Sequence, residues 1–240
     1  MRYYERSPSD GNPLKNLGKS ARPNFCIEVG IPSRVVFAMK TECSCIASCL
    51  AVVLSKRVEP IRCPKDIARL KALLQDDPRD YGLIVFGLNT AFRASELVII
   101  TIRQVVHLRA GDILSVKEPK TGKIRMVMLN ASAVDAVRRC IAAHPNPHPD
   151  APLFWSKTTK RALRPDSLYR IVKGRCAQAG IPGHFGSHTL RKTWGYQQRV
   201  QFKEPLSLLV RAFGHSRESQ TLEYLCILPK EIENLYANEV

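Results

Sequence analysis

The stretch Ser187–Tyr224, SHTLRKTWGYQQRVQFKEPLSLLVRAFGHSRESQTLEY, constrains this chain more than any other. His188 and Arg191 lie three apart, so a helix across them presents an imidazole and a guanidinium on one face. Ser187 is a natural N-cap for that helix. His215 stands in a Gly-His-Ser break, and Tyr224 follows nine residues later, after a short helical stretch. A fold that uses all four side chains has to bring a second helix, carrying a phenol, back towards the first. Arginine and histidine donors beside a phenol suit attack on a phosphodiester, where catalysis consists of charge neutralisation and positioning.

The charge balance agrees with a polyanionic target. Lysine and arginine total 37 against 21 acidic residues, a net charge of +16, and such an excess favours nucleic acid as partner. Of those, 28 basic and 16 acidic residues follow Pro60, so the surplus belongs mainly to the later part. With 240 residues and 45% hydrophobic content the chain has enough apolar material for a sizeable core. The 8 cysteines are scattered, apart from a cluster at Cys43, Cys45 and Cys49 without a nearby histidine. That distribution lacks the paired spacing of a zinc site and reads as reduced thiols in a cytoplasmic protein. No signal peptide is recognisable, and the longest apolar run, Cys43–Leu54, is shorter than the roughly 18 residues a membrane helix needs. A soluble protein without metal or cofactor is expected.

Taken in order, residues 1–60 read as a poorly structured leader, with Pro, Gly, Asn and Ser and no sustained periodicity. Within it, Val35–Leu54 is apolar enough for a short packed helix, and Met39 is an alternative start. Residues 61–240 read as one domain. Pro64 opens a helix with Ile67, Leu70, Leu73 and Leu74 at helical spacing, and Asp76-Asp77-Pro78 ends it. A second, largely apolar helix covers 79–89, Thr90–Arg93 forms a turn, and Ala94–Ile100 begins another helix. Val105–Leu129 reads as three short strands, with Ile113–Val116 in the middle and Ile124, Met126 and Met128 alternating with Arg125 and Val127. Helices follow over 133–143 and 165–179. Lys157, Lys160, Arg161 and Arg164 form a basic run whose alternatives are a solvated face or contact with a DNA backbone. In the tail, Ile232, Leu235 and Tyr236 make an apolar stripe on a segment too short to be stable alone.

The His188-x-x-Arg191 pair, the Gly214-His215-Ser216 break, the Thr221-x-x-Tyr224 ending and the earlier Thr90-Ala-Phe-Arg93-Ala-Ser-Glu-Leu97 together resemble the tyrosine recombinase (phage integrase) family. That family's first arginine motif is usually written T-G-L-R-x-S-E-L, so Ala91 and Phe92 are departures outside the chemical group. The resemblance covers about Asp66 to Val240, a catalytic domain, and implies an α+β fold, mostly helical with a small three-stranded antiparallel sheet. It implies phosphate ligation by Arg93 and Arg191 and nucleophilic attack by Tyr224, giving a 3′-phosphotyrosine and a free 5′-hydroxyl. His188 is then the candidate base and His215 a donor to the phosphoryl group. A lysine at a β-turn reaches the leaving oxygen in the family, and the KTG spacing points to Lys120, with Lys123 as runner-up and otherwise a backbone contact. Lys192 stands where many relatives carry a second histidine and joins Lys157, Lys160, Arg161 and Arg164 as an expected DNA contact. The implied partners are double-stranded DNA and further copies of the chain, a tetramer on paired sites with tails docked in trans. Site-specific recombination or integration for a mobile element is the implied activity. A type IB topoisomerase-like relaxation and a non-cleaving DNA-binding regulator on a decayed domain are the alternatives.

Overall fold

The computed structural model describes residues 57–118 and 122–227. Proline opens three of the helices, at the first turn where its missing N–H has no partner to lose. These are α1 (Pro64–Leu73), α2 (Pro78–Thr90) and α6 (Pro165–Gln178). In α1 the buried stripe is Leu70 with Leu74 just beyond, while Leu73 turns half out to solvent. The axis of the fold is α2, whose residues from Gly82 to Leu88 are all buried. Asp77 caps it, its carboxylate accepting from the Asp80 amide at 3.3 Å. Its far end closes on Ala91 in the left-handed region at φ 54°. Helix α5 (Ala131–Ala142), capped by the Asn130 side chain, packs along α2. The approach needs Gly82, since a Cβ there would stand 2.8 Å from the Cβ of Cys140.

Two one-turn helices follow α2: α3 (Ala94–Leu97) and α4 (Ile102–Val105). The Gln104 side chain reaches back to the Thr101 amide at 2.9 Å, a capping pair that opens α4. The expected three-stranded sheet is corrected: where the first strand was expected, the Val106 and Leu108 amides bond back to the Ile102 and Val105 carbonyls as turns, and among the described residues the sheet has two strands, β1 (Ile113–Lys117) and β2 (Ile124–Met128). They pair antiparallel, Leu114 with Val127 and Val116 with Arg125. Leu114 and Val116 face the core, and Ile113, Ile124, Met126 and Met128 are exposed. The main core gathers Phe86, Phe92 and Phe154 with the apolar faces of α2, α5 and α6.

The remaining helices are α7 (Thr189–Val200), α8 (Leu206–Phe213) and α9 (Glu218–Leu225). Ala91, Leu209, Phe213 and Leu225 form a small second cluster, against which Trp194, Tyr224 and Ile227 pack. Residues 57–60, which the sequence assigns to the leader, are fastened to α7 together with 61 and 62. The Glu59 carbonyl accepts from the Thr189 hydroxyl at 2.9 Å, and the Ile61 amide donates to the Thr193 hydroxyl at 2.8 Å. The rest of the expected leader, the catalytic-lysine candidate Lys120 and the tail residues Ile232, Leu235 and Tyr236 lie outside the described residues. Among the described residues no helix is long and apolar enough to cross a membrane.

Candidate active site

The site forms where the C-terminal ends of α2 and α8 meet the N-terminal half of α7. Helix C-termini leave carbonyls without intrahelical partners and carry partial negative charge. Arg191 answers both ends at once: it donates to the Ala91 carbonyl and, at 3.0 Å, to the Phe213 carbonyl. Its guanidinium lies 4.6 Å above the Phe213 ring and only 3% of the residue is exposed. Burial, with Arg125 and Arg93 nearby, pushes its pKa down to about 10. The group is still cationic at neutral pH.

Arg93 precedes α3 with an extended backbone, and its amide donates to the Glu96 carboxylate at 2.6 Å. The Arg93 guanidinium pairs with Glu96 at 3.2 Å and with Glu118, at the end of β1, at 2.9 Å. Glu96 is wholly buried and also pairs with Arg125 of β2 at 3.3 Å. Arg125 completes its bonding on the Ala212 carbonyl of α8 at 2.8 Å. One buried carboxylate thus orients two guanidiniums, which is how a charge is kept at low cost away from water. The pairing of Glu118 with Arg93 also fixes the root of the β1–β2 loop at the site; Lys120 itself is not among the described residues. Lys123 is exposed on the other side of that loop, its carbonyl accepting from the Glu118 amide.

His188, rather than the expected Ser187, occupies the N-cap of α7, and its side chain makes no capping bond. Although the residue is open to solvent, partial burial of the ring, with Lys192 and Arg191 beside it, lowers its pKa. The imidazole is neutral at pH 7, as a base must be. His215 follows Gly214, whose left-handed φ of 67° ends α8 and turns the chain. Its Nδ1 bonds the Thr221 hydroxyl at 2.9 Å, and its ring stacks on Phe213 at 5.3 Å. Burial and then Arg191 lower its pKa also.

Thr221 and Tyr224 share a face of α9, so the helix that fixes His215 also delivers the phenol. The Tyr224 ring meets Phe213 at 5.3 Å and His215 at 5.2 Å, both edge-on. Its hydroxyl is buried and has no hydrogen-bond partner of regular geometry. Burial raises its pKa; Arg191, by its charge and by a close approach short of regular hydrogen-bond geometry, then Arg93 and Arg125, work against that rise. A cavity of about 250 Å³ opens beside it, lined by Arg57, Lys192, His215, Gln220, Glu223 and Tyr224. The structure therefore brings Arg93, His188, Arg191, His215 and Tyr224 into one electrostatic cluster.

The expected DNA contacts divide. Lys160, Arg161 and Arg164 are exposed ahead of α6. Lys157 pairs with Asp77 at 2.6 Å, at the end of α2 opposite Arg93, roughly 20 Å away at 1.5 Å per residue. Lys192 departs from the expectation. It is 7% exposed, and its ammonium donates to the Val58 carbonyl at 2.7 Å and contacts Cys226 Sγ at 3.4 Å. In this arrangement it serves the interior of the protein rather than a DNA surface. Arg125 and Glu96 are the site residues that sequence reasoning did not assign. Arg125 carried a faint signal, a cation on the same strand face as Val127.

Comparison with known proteins places the chain in a family. The Phage integrase family pattern matches residues 64–230. The probable integrase/recombinase YoeC of Bacillus subtilis (strain 168) is 31% identical over 172 residues, covering 71% of this chain and 90% of YoeC. The tyrosine recombinase XerC of Pelobacter propionicus (strain DSM 2379 / NBRC 103807 / OttBd1) is 28% identical over 158 residues, 66% of this chain and 51% of that protein. This chain thus spans about half of that relative. Among solved structures, XerA recombinase superposes with a TM-score of 0.62 at 18% identity, over 76% of this chain and 64% of XerA. The XerH site-specific recombinase bound to palindromic difH substrate gives 0.60 at 20% identity, over 77% and 54%. At those identities the likeness establishes the fold.

Proposed function

The chain belongs to the phage integrase family, and we propose that it is a site-specific recombinase that cuts and rejoins duplex DNA through a 3′-phosphotyrosine at Tyr224. One observation carries this reading: a buried phenol without a regular hydrogen bond lies in the field of three arginines and beside a histidine bonded to its own helix.

In the proposed reaction the scissile phosphate sits between Arg93 and Arg191, whose planar forks bind the non-bridging oxygens. Tyr224 Oη attacks phosphorus as the bond to the 5′-oxygen breaks. The phenolic proton passes to the neutral His188, and the leaving oxygen takes a proton from Lys120. His215, with Nδ1 engaged by Thr221, offers its other ring nitrogen to the phosphoryl group. The covalent bond stores the energy of the broken one, so a 5′-hydroxyl from another strand reverses the step without ATP. Arg125 adds a third positive charge and holds the β1–β2 hairpin against α8.

Double-stranded DNA is the partner, and exchange between paired sites calls for four copies. The complex of XerH with difH supports the DNA reading, and the similarity to the probable integrase/recombinase YoeC supports recombination or integration; service to a mobile element is part of the proposal. A non-cleaving regulator would have no use for three arginines gathered around a buried phenol. Incubation with a pool of nicked random-sequence duplexes, in which the cleaved end diffuses away, tests the proposal. Recovery of covalent protein–DNA adducts that converge on one sequence supports it. DNA binding without any adduct supports the regulator instead.

A further inference from the structure

Lys192 is a buried cation set between the end of α9 and residues 57–62, with the buried Glu59 carboxylate also in its field. Its ammonium donates to the Val58 carbonyl at 2.7 Å and contacts Cys226 Sγ at 3.4 Å. Its Nζ also lies 4.9 Å from the centroid of the Tyr224 ring. Cys226 is the left-handed C-cap of α9, two residues beyond Tyr224, and its carbonyl accepts from Arg62 at 3.0 Å. Arg57 reaches the same helix from the other side, pairing with Glu223 at 2.5 Å. Residues 57–62 are themselves bound to α7 through Thr189, Thr193 and Gln197. The end of α9 is thereby held between α7 and the segment that precedes the catalytic domain, with Lys192 at the junction.

Resting on the recombinase reading above, we infer that Lys192 is a positioning residue for Tyr224, holding the phenol ring in cis and lending its charge to the phenolate that attacks. A cation over an aromatic face is attracted by the ring and more strongly by an ionised one. Desolvating an ammonium is costly unless its partners are fixed, and here each partner fixes α9 or the strap beside it. The other charged or titratable groups facing the phenol are Arg191, Arg93, Arg125 and His215, with Glu223 and its partner Arg57 on the outer side. Lys192 also depresses the His188 pKa, so its charge favours the neutral base.

The test compares wild type, Lys192→Gln and Lys192→Arg in single-turnover adduct formation on a nicked duplex, from pH 6 to pH 10. Gln keeps a donor for Val58 and removes the charge; Arg keeps both. Wild-type adduct, absent in Tyr224→Phe, verifies the underlying reading independently of Lys192. Lys192→Gln is expected to bind DNA within about twofold of wild type and with the same salt slope. Its adduct rate falls tenfold or more, by a similar factor from pH 6 to pH 10 because burial holds the phenol's pKa above its ordinary value, while Lys192→Arg stays within a fewfold of wild type. Undiminished rate, or an equal loss in Lys192→Arg, overturns the inference. Weaker binding with a shallower salt slope overturns it too, because Lys192 would then be a phosphate contact. If Lys192→Gln fails to fold, Lys192→Arg decides, since adduct formation within a fewfold of wild type at pH 7 is required of it.

Discussion

Tyr224→Phe removes one oxygen, and the structure fixes the sign of its effect on stability. The Tyr224 hydroxyl is buried and without a hydrogen-bond partner. Arg191, the nearby cation, directs one N–H each of Nη1 and Nη2 at the carbonyls of Ala91 and Phe213 and reaches the phenol oxygen only short of regular hydrogen-bond geometry, so it gives the phenol mainly charge. With its pKa raised by burial the phenol is neutral at pH 7 and gains little from that charge. Burying a hydroxyl without a partner costs about 1–3 kcal/mol in mutational data. Phenylalanine fills the same space between Phe213 and His215, so the substitution should stabilise the DNA-free protein by roughly that amount. For a domain of this size about 1 kcal/mol moves Tm by roughly 2–4 °C, so a rise of about 2 °C or more is expected. The assay is thermal or urea unfolding of both proteins without DNA, with the slope against denaturant checked for constancy. Active sites commonly hold such unsatisfied groups at the expense of stability. A fall in Tm of similar size would refute the reasoning, because the hydroxyl would then be an accepted partner within the fold.

Three further outcomes follow from the same geometry. Arg191→Lys should lower adduct formation by on the order of 10²-fold, since a point charge cannot fork onto a phosphate while also closing two helix ends; full activity in gel assays would show that bidentate contact is not used. Gly195→Ala should cost about 1–3 kcal/mol in unfolding experiments and slow cleavage, because the new Cβ would stand 2.4 Å from Phe213 Cζ and 2.8 Å from Leu225, the platform under Tyr224. His188 and His215 have folded pKa values below their ordinary 6.5, so the unfolded chain binds more protons. Their contribution therefore falls away as pH drops through and below 6.5, and replacing both with Gln should flatten the fall in Tm between pH 7 and pH 5.

Much of this arrangement was legible because local rules were obeyed. Pro64, Pro78 and Pro165 each open the helix expected near them, and the Pro145–Pro149 loop lies beyond the end of α5. The candidate residues could be named because their spacing is tied to single helices: His188 at the N-cap of α7 and Arg191 within it, Thr221 and Tyr224 on α9. The first strand failed for a local reason too. It was expected from Val105, but the Val106 and Leu108 amides bond back to the Ile102 and Val105 carbonyls, continuing the turn that the Thr101–Gln104 capping pair opens. Arg125 and Lys192 were hidden for a different reason. Each is defined by partners remote in sequence, Glu96 and Ala212 for Arg125, Val58 and Cys226 for Lys192. Sequence periodicity assigns a lysine in a helix to solvent by default, and only the packing of 57–62 on α7 reverses it. The burial of Arg191 is of the same kind, since it depends on two helix ends that meet in space.

The central claim is that Tyr224 becomes covalently joined to DNA. The most direct measurement is to trap the adduct on a nicked duplex, digest both protein and DNA, and identify the modified peptide and the attached end by mass spectrometry. The account predicts a phosphodiester between Tyr224 Oη and a 3′-terminal nucleotide, with a free 5′-hydroxyl on the released strand. Attachment at another residue, or a 5′-phosphate on the protein-linked strand, would contradict it.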